Sequence, residues 1–407
     1  MVASLLYYRK FAKSLTDIQF TINPYDPCVA NKIIDAKQMT ICWHVDDLKV
    51  SHSNPKVMDR IIKYLRQEYE SIFEDGTGEM VVSRGKIHEY LGMTLDYSVR
   101  GQVKITMLDY VDAILTAFDI AEPKGAGTKS SAASDNLFTV NEDCEKLSPE
   151  KAVQFHNLVA KTLYATKRAR PDTCTAIAFL TTRVRAPDKD DWKKLVHLMR
   201  YIRGTRNLPL ILSANGSGIL KWWVDASFAV HPNLRGHSGG GLSMGRGFPI
   251  VASSKQKLNT RSSTEAEIVG ADDFMPAVCW TRYFMESQGY EVNDNIVYQD
   301  NKSSILLEKN GKASSSKCTK HINIRYFFIT DRVRNNEVSV VWCPTGDMIA
   351  DFATKPLQGA LFKKFRDMLM GVVPAQDLGK GKSKITPKDT TSVQMPSNGN
   401  KDLVTAK

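Results

Sequence analysis

The stretch Leu220-Lys-Trp-Trp-Val-Asp225 decides the fold of the second half of the chain, because it is an apolar, aromatic run that ends on an acid. Such a run is typical of a buried strand. Around it the sequence predicts strands that alternate with helices, which indicates an α/β or α+β fold. Strands are predicted near 218–228, 239–244, 248–253, 295–298 and 337–342, and helices near 263–288, 302–308, 321–334 and 347–370.

Four acids lie where a predicted strand ends or a predicted helix begins. Asp225 ends the first strand, and Asp300 ends a later one. Glu265 stands in the first turn of the long helix, and Asp351 lies near the start of the last one. Because strand ends lie side by side in a sheet, we expect the four carboxylates to converge on one rim.

Four clustered carboxylates repel one another, so the cluster is unfavourable without cations. Two hard divalent cations about 3.5–4 Å apart would neutralise it, bind a phosphodiester, activate water and stabilise the leaving oxygen. Mg²⁺ prefers oxygen ligands, and the sequence offers no His/Cys cluster for a softer metal. Taken singly, each acid is more often a surface acid or a helix cap.

The order strand-Asp, helix-Glu, strand-Asp, helix-Asp resembles the ribonuclease H domain of copia-type (Pseudoviridae) retrotransposon Pol polyproteins. The matching stretches are Trp223-Val-Asp-Ala-Ser-Phe228, Arg261-Ser-Ser-Thr-Glu-Ala-Glu267, Tyr298-Gln-Asp-Asn-Lys302, Thr319-Lys-His-Ile-Asn-Ile-Arg-Tyr326 and Ile349-Ala-Asp-Phe-Ala-Thr-Lys-Pro-Leu357. The resemblance implies a five-stranded mixed sheet with flanking helices. It also implies that Asp225, Glu265, Asp300 and Asp351 are catalytic and hold two Mg²⁺ ions, with Mn²⁺ as an alternative. The implied reaction is hydrolysis of RNA in an RNA–DNA hybrid.

Two assignments within this set have competitors. In Glu265-Ala-Glu267 the first glutamate matches the family's helix-start position, and Glu267 is expected to face solvent or a partner, roughly 200° away around the helix. Asp347 competes with Asp351 as the fourth acid and is expected to cap the last helix. The family's histidine before the final acid is missing from Cys343-Pro-Thr-Gly-Asp347, so water or another residue must protonate the leaving group, or the rate is lower.

A second candidate metal site is His44-Val-Asp46-Asp47, which lies between two predicted strands. A lone Asp-Asp pair is usually only a polar turn. Residues 5–118, however, resemble the later palm and following segments of a copia-type reverse transcriptase. The matching stretches are Tyr8-Arg-Lys-Phe11, Asn23-Pro-Tyr-Asp-Pro-Cys-Val-Ala-Asn-Lys32 and Val45-Asp-Asp47. The resemblance implies that Asp46 and Asp47 are metal ligands.

Polymerase activity is not expected of this chain alone. The family usually has Tyr in place of His44, and its polymerases need a third aspartate on an earlier palm strand and fingers that hold the template. Both would precede Met1, and two-metal phosphoryl transfer needs that third ligand. RNA-directed DNA synthesis is therefore expected only if a missing N-terminal half is supplied.

Basic residues crowd the region 151–212, which is predicted to be all-helical and resembles the connection between polymerase and ribonuclease in the same family. We interpret its basic residues as phosphate contacts for a hybrid, with solvated helix faces as an equal alternative. Another basic group just before the long helix is predicted to hold the scissile strand. The candidates in the helical region are Arg168, Arg170, Arg200 and Arg203. Those just before the long helix are Lys255, Lys257 and Arg261.

Composition agrees with a protein that acts inside the cell. The 407 residues include 55 Lys+Arg against 44 Asp+Glu, a net charge of +11. No apolar run approaches the roughly 18–20 residues that span a bilayer, and the start is too basic for a secretory signal. The seven cysteines lie far apart, which fits a reducing compartment. We expect cytoplasmic, virus-like-particle or nuclear localisation, without membrane contact or a small-molecule cofactor.

The predicted organisation has five parts. They are a partial reverse-transcriptase palm (1–118), a linker (119–150), a helical connection (151–212), a ribonuclease H domain (213–372) and a disordered basic tail (373–407). The first hypothesis is a Pol fragment that cleaves RNA–DNA hybrids with Mg²⁺ and has lost polymerase activity, with other Pol parts as further candidate partners. The second is a catalytically silent remnant that binds nucleic acid.

Overall fold

A computed structural model describes residues 2–70, 78–122, 125–311, 323–375 and 402–406. The first part contains α1 (Val2–Asp17), β1 (Thr21–Ile22), β2 (Val29–Ile34), β3 (Lys37–His44), β4 (Asp47–His52), α2 (Pro55–Tyr69), β5 (Val82–Gly85), β6 (Ile87–Tyr90), β7 (Met93–Asp96), β8 (Val103–Thr106) and α3 (Leu108–Ala121). The remainder contains α4 (Pro149–Thr166), α5 (Cys174–Thr181), α6 (Lys189–Gly204), β9 (Leu210–Ala214), β10 (Ile219–Ser227), β11 (Arg235–Ser243), β12 (Gly245–Arg246), β13 (Ile250–Asn259), α7 (Ser263–Ser287), β14 (Asp294–Gln299), α8 (Lys302–Asn310), α9 (Asn323–Arg334), β15 (Ser339–Trp342), α10 (Asp351–Thr354), α11 (Gly359–Leu369) and β16 (Asp402–Ala406).

The chain forms two compact units. The smaller one consists of Met1–Val103, Tyr283–Glu291 and the segment that carries β16. The larger one consists of Lys104–Arg282 and the residues from Val292 onward that precede that segment. The predicted mixture of helices and sheets in more than one unit is therefore present.

The smaller unit is built on a sheet in the order β1-β2-β3-β4-β16-β5, in which all neighbouring strands are antiparallel. Apolar side chains of α1, α2 and the strands form its core, including Phe11, Met39, Trp43 and Met58. Asn54 caps α2 by accepting a hydrogen bond from the amide of Lys56, and Pro55 stands at the first helical position. The buried residues of α2, such as Met58, belong to this core, so the apolar face of the helix packs on the sheet.

The larger unit contains a five-stranded mixed sheet in the order β13-β11-β10-β14-β15. The pairs β13–β11 and β11–β10 are antiparallel, whereas β10–β14 and β14–β15 are parallel. The quoted apolar run lies on the central strand β10, where Trp222 and Trp223 are both fully buried. Trp223 stacks on Tyr298 of β14, and Trp222 packs against Phe274 of α7. Burial on both faces explains why this strand reads as a continuous apolar run.

The stretch between α3 and α4 was predicted to be a linker. Residues 125–148 form no helix or strand, as expected of a linker. Yet Ser131, Ala132, Ala133 and Leu137 are buried within the larger unit. The stretch is therefore a packed connection, and its small residues fit it against its neighbours.

The prediction of disorder for the tail is wrong for Asp402–Ala406, which form β16 between β4 and β5. The sequence Leu-Val-Thr within this strand favours extended structure, which the overall Lys- and Gly-rich composition concealed. Residues 376–401 and 407 lie outside the described residues, as do residues 319–322 of the predicted family motif. None of the described helices has the length and apolar character needed to cross a membrane.

Candidate metal centre

Asp225 lies on the central strand β10 and is 1% exposed. The Thr354 hydroxyl donates a short hydrogen bond to its Oδ2 atom. β10 lies between β11 and β14, and the residue opposite Asp225 on β11 is Gly239, which has no side chain. A buried carboxylate with one fixed oxygen has little freedom to turn away from a ligand.

Asp300 follows the last residue of β14, the parallel neighbour of β10. Its Oδ2 atom accepts a hydrogen bond from the Thr345 hydroxyl at 3.2 Å. Its main-chain oxygen accepts a hydrogen bond from the Trp342 indole at 3.2 Å. The parallel pairing of β10 and β14 thus brings two strand-end carboxylates to the same rim, as predicted.

The glutamate that reaches this rim is Glu267, not Glu265. Glu267 is 6% exposed, and its Oε2 atom accepts a hydrogen bond from the amide of Ala226 at 3.1 Å. Glu265 instead turns back to the helix start, where its Oε2 atom accepts a hydrogen bond from the Arg261 amide at 2.7 Å. The Ser262 hydroxyl accepts a hydrogen bond from the Glu265 amide at 3.2 Å, so the Ser262 and Glu265 side chains both accept from main-chain amides at the start of α7.

The prediction that Glu267 faces solvent is therefore wrong. The two glutamates do lie on different faces of α7, but the Glu267 face is the one that packs on the sheet. Gly270, one turn later on this face, shows why: a Cβ atom there would lie 3.2 Å from the Ala226 side chain. The small residues Gly270 and Ala271 were the sequence signal that could have identified the packed face.

Asp225, Glu267 and Asp300 form a group in which one oxygen of each lies within 4.8 Å of the others. Among the described residues no other three His, Cys, Asp or Glu side chains meet in this way. Burial raises the pKa of Glu267 well above its usual range, and the charges of Asp225 and Asp300 raise it further. The pKa of Asp300 is also raised, by burial and then by Asp225. Such a site gains from a cation that removes the repulsion.

Asp351 opens α10 and is 4% exposed beside this group. Burial, followed by the charge of Asp225, raises its pKa to about 7. Its competitor Asp347 instead accepts an ion pair from Lys364 at 3.2 Å. The structure thus brings two of the four predicted acids, Asp225 and Asp300, into one group with Glu267. Asp351 lies beside this group and shares Lys355 with Asp225, whereas Glu265 does not join it.

Lys355 was missed by the sequence reasoning. Its Nζ atom lies 2.6 Å from Asp351 Oδ1 and 3.7 Å from Asp225 Oδ2. Burial disfavours the charged form of Lys355, but the negative charges of Asp225 and Asp351 favour it more strongly. The pKa of Lys355 is therefore raised. The spacing of four residues from Asp351 along a helix was the available signal. Lys355 supplies a positive charge at one side of the cluster.

Three hydroxyl groups hold the backbone of α10. The Thr175 hydroxyl of α5 donates to the carbonyl of Phe352, and the Ser253 hydroxyl donates to that of Ala353 at 2.7 Å. The Ser227 hydroxyl donates to the carbonyl of Thr354 at 3.1 Å. We call Thr175, Ser227 and Ser253 the hydroxyl clamp. Because α5, β10 and β13 each contribute one member, the clamp fixes the segment that carries Asp351 and Lys355.

The basic candidates separate into exposed and structural residues. Arg170 is buried, pairs with both Asp172 oxygens at 2.9 and 2.8 Å, and also donates to Thr205. Its predicted phosphate contact is therefore wrong, because burial and pairing leave it inaccessible. Arg203 is ion-paired with Asp119, and Arg168 lies over the Tyr164 ring. Lys255 is half-buried, whereas the exposed candidates are Arg200, Lys257 and Arg261.

Asp46 and Asp47 lie at the turn between β3 and β4 in the smaller unit. Asp46 is exposed, and Asp47 lies opposite His44 in the register of β3 and β4. Val45 has φ of 56°, a left-handed conformation that is strained for a β-branched residue. No third ligand of suitable type joins the two aspartates among the described residues. Their predicted role as metal ligands stays a prediction.

Comparison with known proteins supports the predicted resemblance. No protein-family model matches the chain. The chain is 25% identical over 373 residues to the retrovirus-related Pol polyprotein from transposon TNT 1-94 of Nicotiana tabacum, which covers 89% of the chain and 27% of that protein. It is 25% identical over 330 residues to the corresponding polyprotein from transposon RE1 of Arabidopsis thaliana, covering 79% of the chain and 21% of that protein. A putative transposon Ty5-1 protein of Saccharomyces cerevisiae is 24% identical over 235 residues, which is 57% of the chain and 71% of that protein.

All of these relatives are named as transposon proteins. The chain is a homologue of Pol polyproteins from copia-type transposons, as its motifs predicted. The chain spans about a quarter of the length of the TNT 1-94 polyprotein and about a fifth of the length of the RE1 polyprotein.

Proposed function

We propose that the larger unit is a ribonuclease H, which hydrolyses RNA in RNA–DNA hybrids with Mg²⁺. The observation that carries the proposal is the convergence of buried Asp225 and Glu267 with half-buried Asp300 on the rim of a five-stranded mixed sheet, with Asp351 beside them. The similarity to Pol polyproteins supports a role in retrotransposon replication.

The donor set fits hard divalent cations. Its members offer only carboxylate oxygens, which Mg²⁺ and Mn²⁺ prefer. Asp225, Glu267 and Asp300 would hold the ions, and Asp351 would complete the set. Two bound cations would supply Lewis-acid activation of water and charge stabilisation of the leaving 3′ oxygen.

The chain's own residues prepare this site. Thr354 donates to one oxygen of Asp225 and the Ala226 amide donates to one oxygen of Glu267, which restricts the orientation of both carboxylates. Lys355 balances part of the negative charge from the side of Asp351. The stretch Cys343–Asp347 offers no histidine, so we assign protonation of the leaving group to water. The exposed Lys257 and Arg261 near the start of α7 are candidates to bind the phosphate backbone.

A second candidate function is binding of nucleic acid without cleavage, and Lys355 is the observation that favours it. Its ammonium group already neutralises part of the cluster, because it lies near both Asp351 and Asp225. A protein that had lost its metal could keep a folded site in this way.

Cleavage of a labelled RNA strand paired with DNA tests the proposal. The full chain should cleave the hybrid in Mg²⁺, should spare single-stranded RNA and duplex DNA, and should stop in EDTA. Asp225→Asn keeps the side-chain shape but removes a ligand charge, and it should abolish cleavage. If the wild type and Asp225→Asn are equally inert while both bind the hybrid, the silent binding function replaces the nuclease. If both cleave equally, the site is elsewhere.

We propose that the smaller unit is a segment of a reverse-transcriptase palm. The strained turn at Val45 presents Asp46 and Asp47, which would be metal ligands. Polymerisation would need at least one further carboxylate from elsewhere, because two-metal phosphoryl transfer uses more ligands than this turn supplies. We propose that the protein acts inside the cell, in the cytoplasm, the nucleus or a virus-like particle, together with other Pol parts.

A further inference from the structure

An exposed tryptophan stands beside the carboxylate cluster, and neither the predicted motif residues nor the proposed chemistry uses it. Trp342 ends β15, the edge strand of the five-stranded sheet, and is 42% exposed. Its indole nitrogen donates to the main-chain oxygen of Asp300 at 3.2 Å. This bond holds the ring next to a carboxylate of the proposed metal site.

Lys302 accompanies this ring. It is exposed at the start of α8, and its Nζ atom lies 5.0 Å from the centroid of the Trp342 ring. That distance is within the range of a cation–π interaction, which orients the ring while much of its surface stays open. Because Lys302 is exposed, its ammonium group can contact a ligand while it lies over the ring.

An open aromatic ring and a lysine beside a phosphodiester-cleaving site match the chemistry of a nucleotide. Aromatic side chains stack on bases and sugars, and a neighbouring lysine binds the phosphate between them. Thr345, which donates to Asp300 Oδ2, lies three residues after Trp342, so the ring and the cluster are joined through one short segment. A strand whose phosphate lies at the carboxylates would therefore pass the ring.

We propose that Trp342 and Lys302 form a nucleotide subsite for the RNA strand next to the scissile phosphate. Trp342 contacts a base or sugar, and Lys302 binds the adjoining phosphate. The inference rests on the proposed ribonuclease function. It adds a substrate-binding role for the edge strand β15 and the start of α8.

The test measures binding of a fluorescent hybrid by anisotropy in EDTA, and cleavage by the full chain in Mg²⁺. Loss of one stacking contact in Trp342→Ala should weaken hybrid binding about tenfold and raise KM by a similar factor. Trp342→Phe should keep most of the binding because it keeps an aromatic face. Trp280→Ala is the matched control: Trp280 is 37% exposed but lies 13 residues after Glu267 on α7, about 20 Å along the helix.

A purely structural role for Trp342 would give a different pattern. If the ring only positions Asp300 through its N–H group, Trp342→Phe should lose kcat as fully as Trp342→Ala, with the Kd unchanged. That pattern would overturn the inference and leave the nuclease in place. Equal binding by wild type, Trp342→Ala and Trp280→Ala would overturn it as well.

Lys302→Gln provides an independent arm. If Lys302 binds a phosphate, the slope of log Kd against log salt should fall by about 0.9, the value for one contact to a duplex. Lys302→Arg should restore the slope, because it restores the charge. An unchanged slope would remove Lys302 from the subsite. A wild type that cleaves no hybrid would refute the proposed function separately, and the EDTA binding data would then decide whether the ring contacts nucleic acid.

Discussion

Two regions of this protein place acidic side chains at the ends of strands, yet they differ in every property that makes a metal site. In the larger unit, Asp225, Glu267 and Asp300 come from three separate elements and meet within 4.8 Å. In the smaller unit, Asp46 and Asp47 are neighbours on one turn, and Asp46 is exposed.

The difference shows that convergence in space matters more than adjacency in sequence. Side chains of successive residues in extended structure point to opposite faces, so adjacent acids do not by themselves surround an ion. In the larger unit Asp225 and Glu267 are buried and Asp300 is half-buried, and burial together with the charges of Asp225 and Asp300 raises the pKa of Glu267. Only the strain at Val45, with φ of 56°, marks the turn of the smaller unit as unusual.

The largest expected effect separates the two regions directly. Glu267→Gln should lower Mg²⁺-dependent cleavage of the hybrid by more than about 100-fold, beyond the loss that follows removal of an outer-shell partner. The double variant Asp46→Asn/Asp47→Asn should cleave like the wild type. Initial rates at saturating hybrid measure both. Equal loss in the two variants would break the comparison.

Glu265→Gln is the matched control for Glu267→Gln, since both remove one charge from the first turns of α7. We expect Glu265→Gln to change stability little, because the amide oxygen of Gln can still accept the hydrogen bond from the Arg261 amide, and to leave the cleavage rate per folded molecule intact. The reverse result would return Glu265 to the metal site.

The next-largest effect is expected at Lys355, because its positive charge balances part of the negative charge of the carboxylates in the larger unit. Lys355→Met should lower the stability of the metal-free protein by about 1–2 kcal/mol, less than for a fully buried pair because Lys355 is 39% exposed. Mg²⁺ should then raise the melting temperature more in this variant than in the wild type, because the carboxylates lack another counter-charge. Thermal denaturation in EDTA and in Mg²⁺ measures both changes.

Lys364→Met offers the control, because Lys364 is 40% exposed and pairs with Asp347 away from the cluster. It should lose at most about 1 kcal/mol and respond to Mg²⁺ like the wild type. If Lys355→Met also responds like the wild type, Lys355 is not part of the charge balance.

The sequence predicted the five strands of the larger sheet and two acids of the converging group, Asp225 and Asp300, because apolar runs and strand-end carboxylates are local signals. It did not identify Glu267, since the choice between two glutamates depends on which face of α7 meets β10. The same limit applies to Arg170, which reads as a surface base but forms a buried pair with Asp172. Side-chain partners that are brought together by tertiary packing leave only a weak pattern in the local sequence, such as the small residues Gly270 and Ala271 on the packed face of α7.

The pH dependence of stability provides a smaller and more specific test. The pKa of Asp351 is raised from 3.8 to about 7, so between these values the folded protein holds a proton that the unfolded chain has released. Stability of the metal-free protein should therefore fall as pH rises from about 4 to about 7. Denaturant unfolding in EDTA should show that Asp351→Asn loses less stability over this window than the wild type. An identical loss in both proteins would exclude Asp351 as the source.

The smallest expected effect tests whether the hydroxyl clamp contributes to the difference between the regions. Thr175→Val removes the hydroxyl that donates to the Phe352 carbonyl but keeps the side-chain shape, and it should cost about 1 kcal/mol. Because this carbonyl lies beside Asp351, cleavage should also decrease, and Thr175→Ser should restore it. Thr182→Val removes a similar hydroxyl bond, to the Phe179 carbonyl at 2.7 Å, that does not reach α10. Single-turnover rates should fall only for Thr175→Val; an equal decrease in both variants would mean that α5 affects the site through general stability alone.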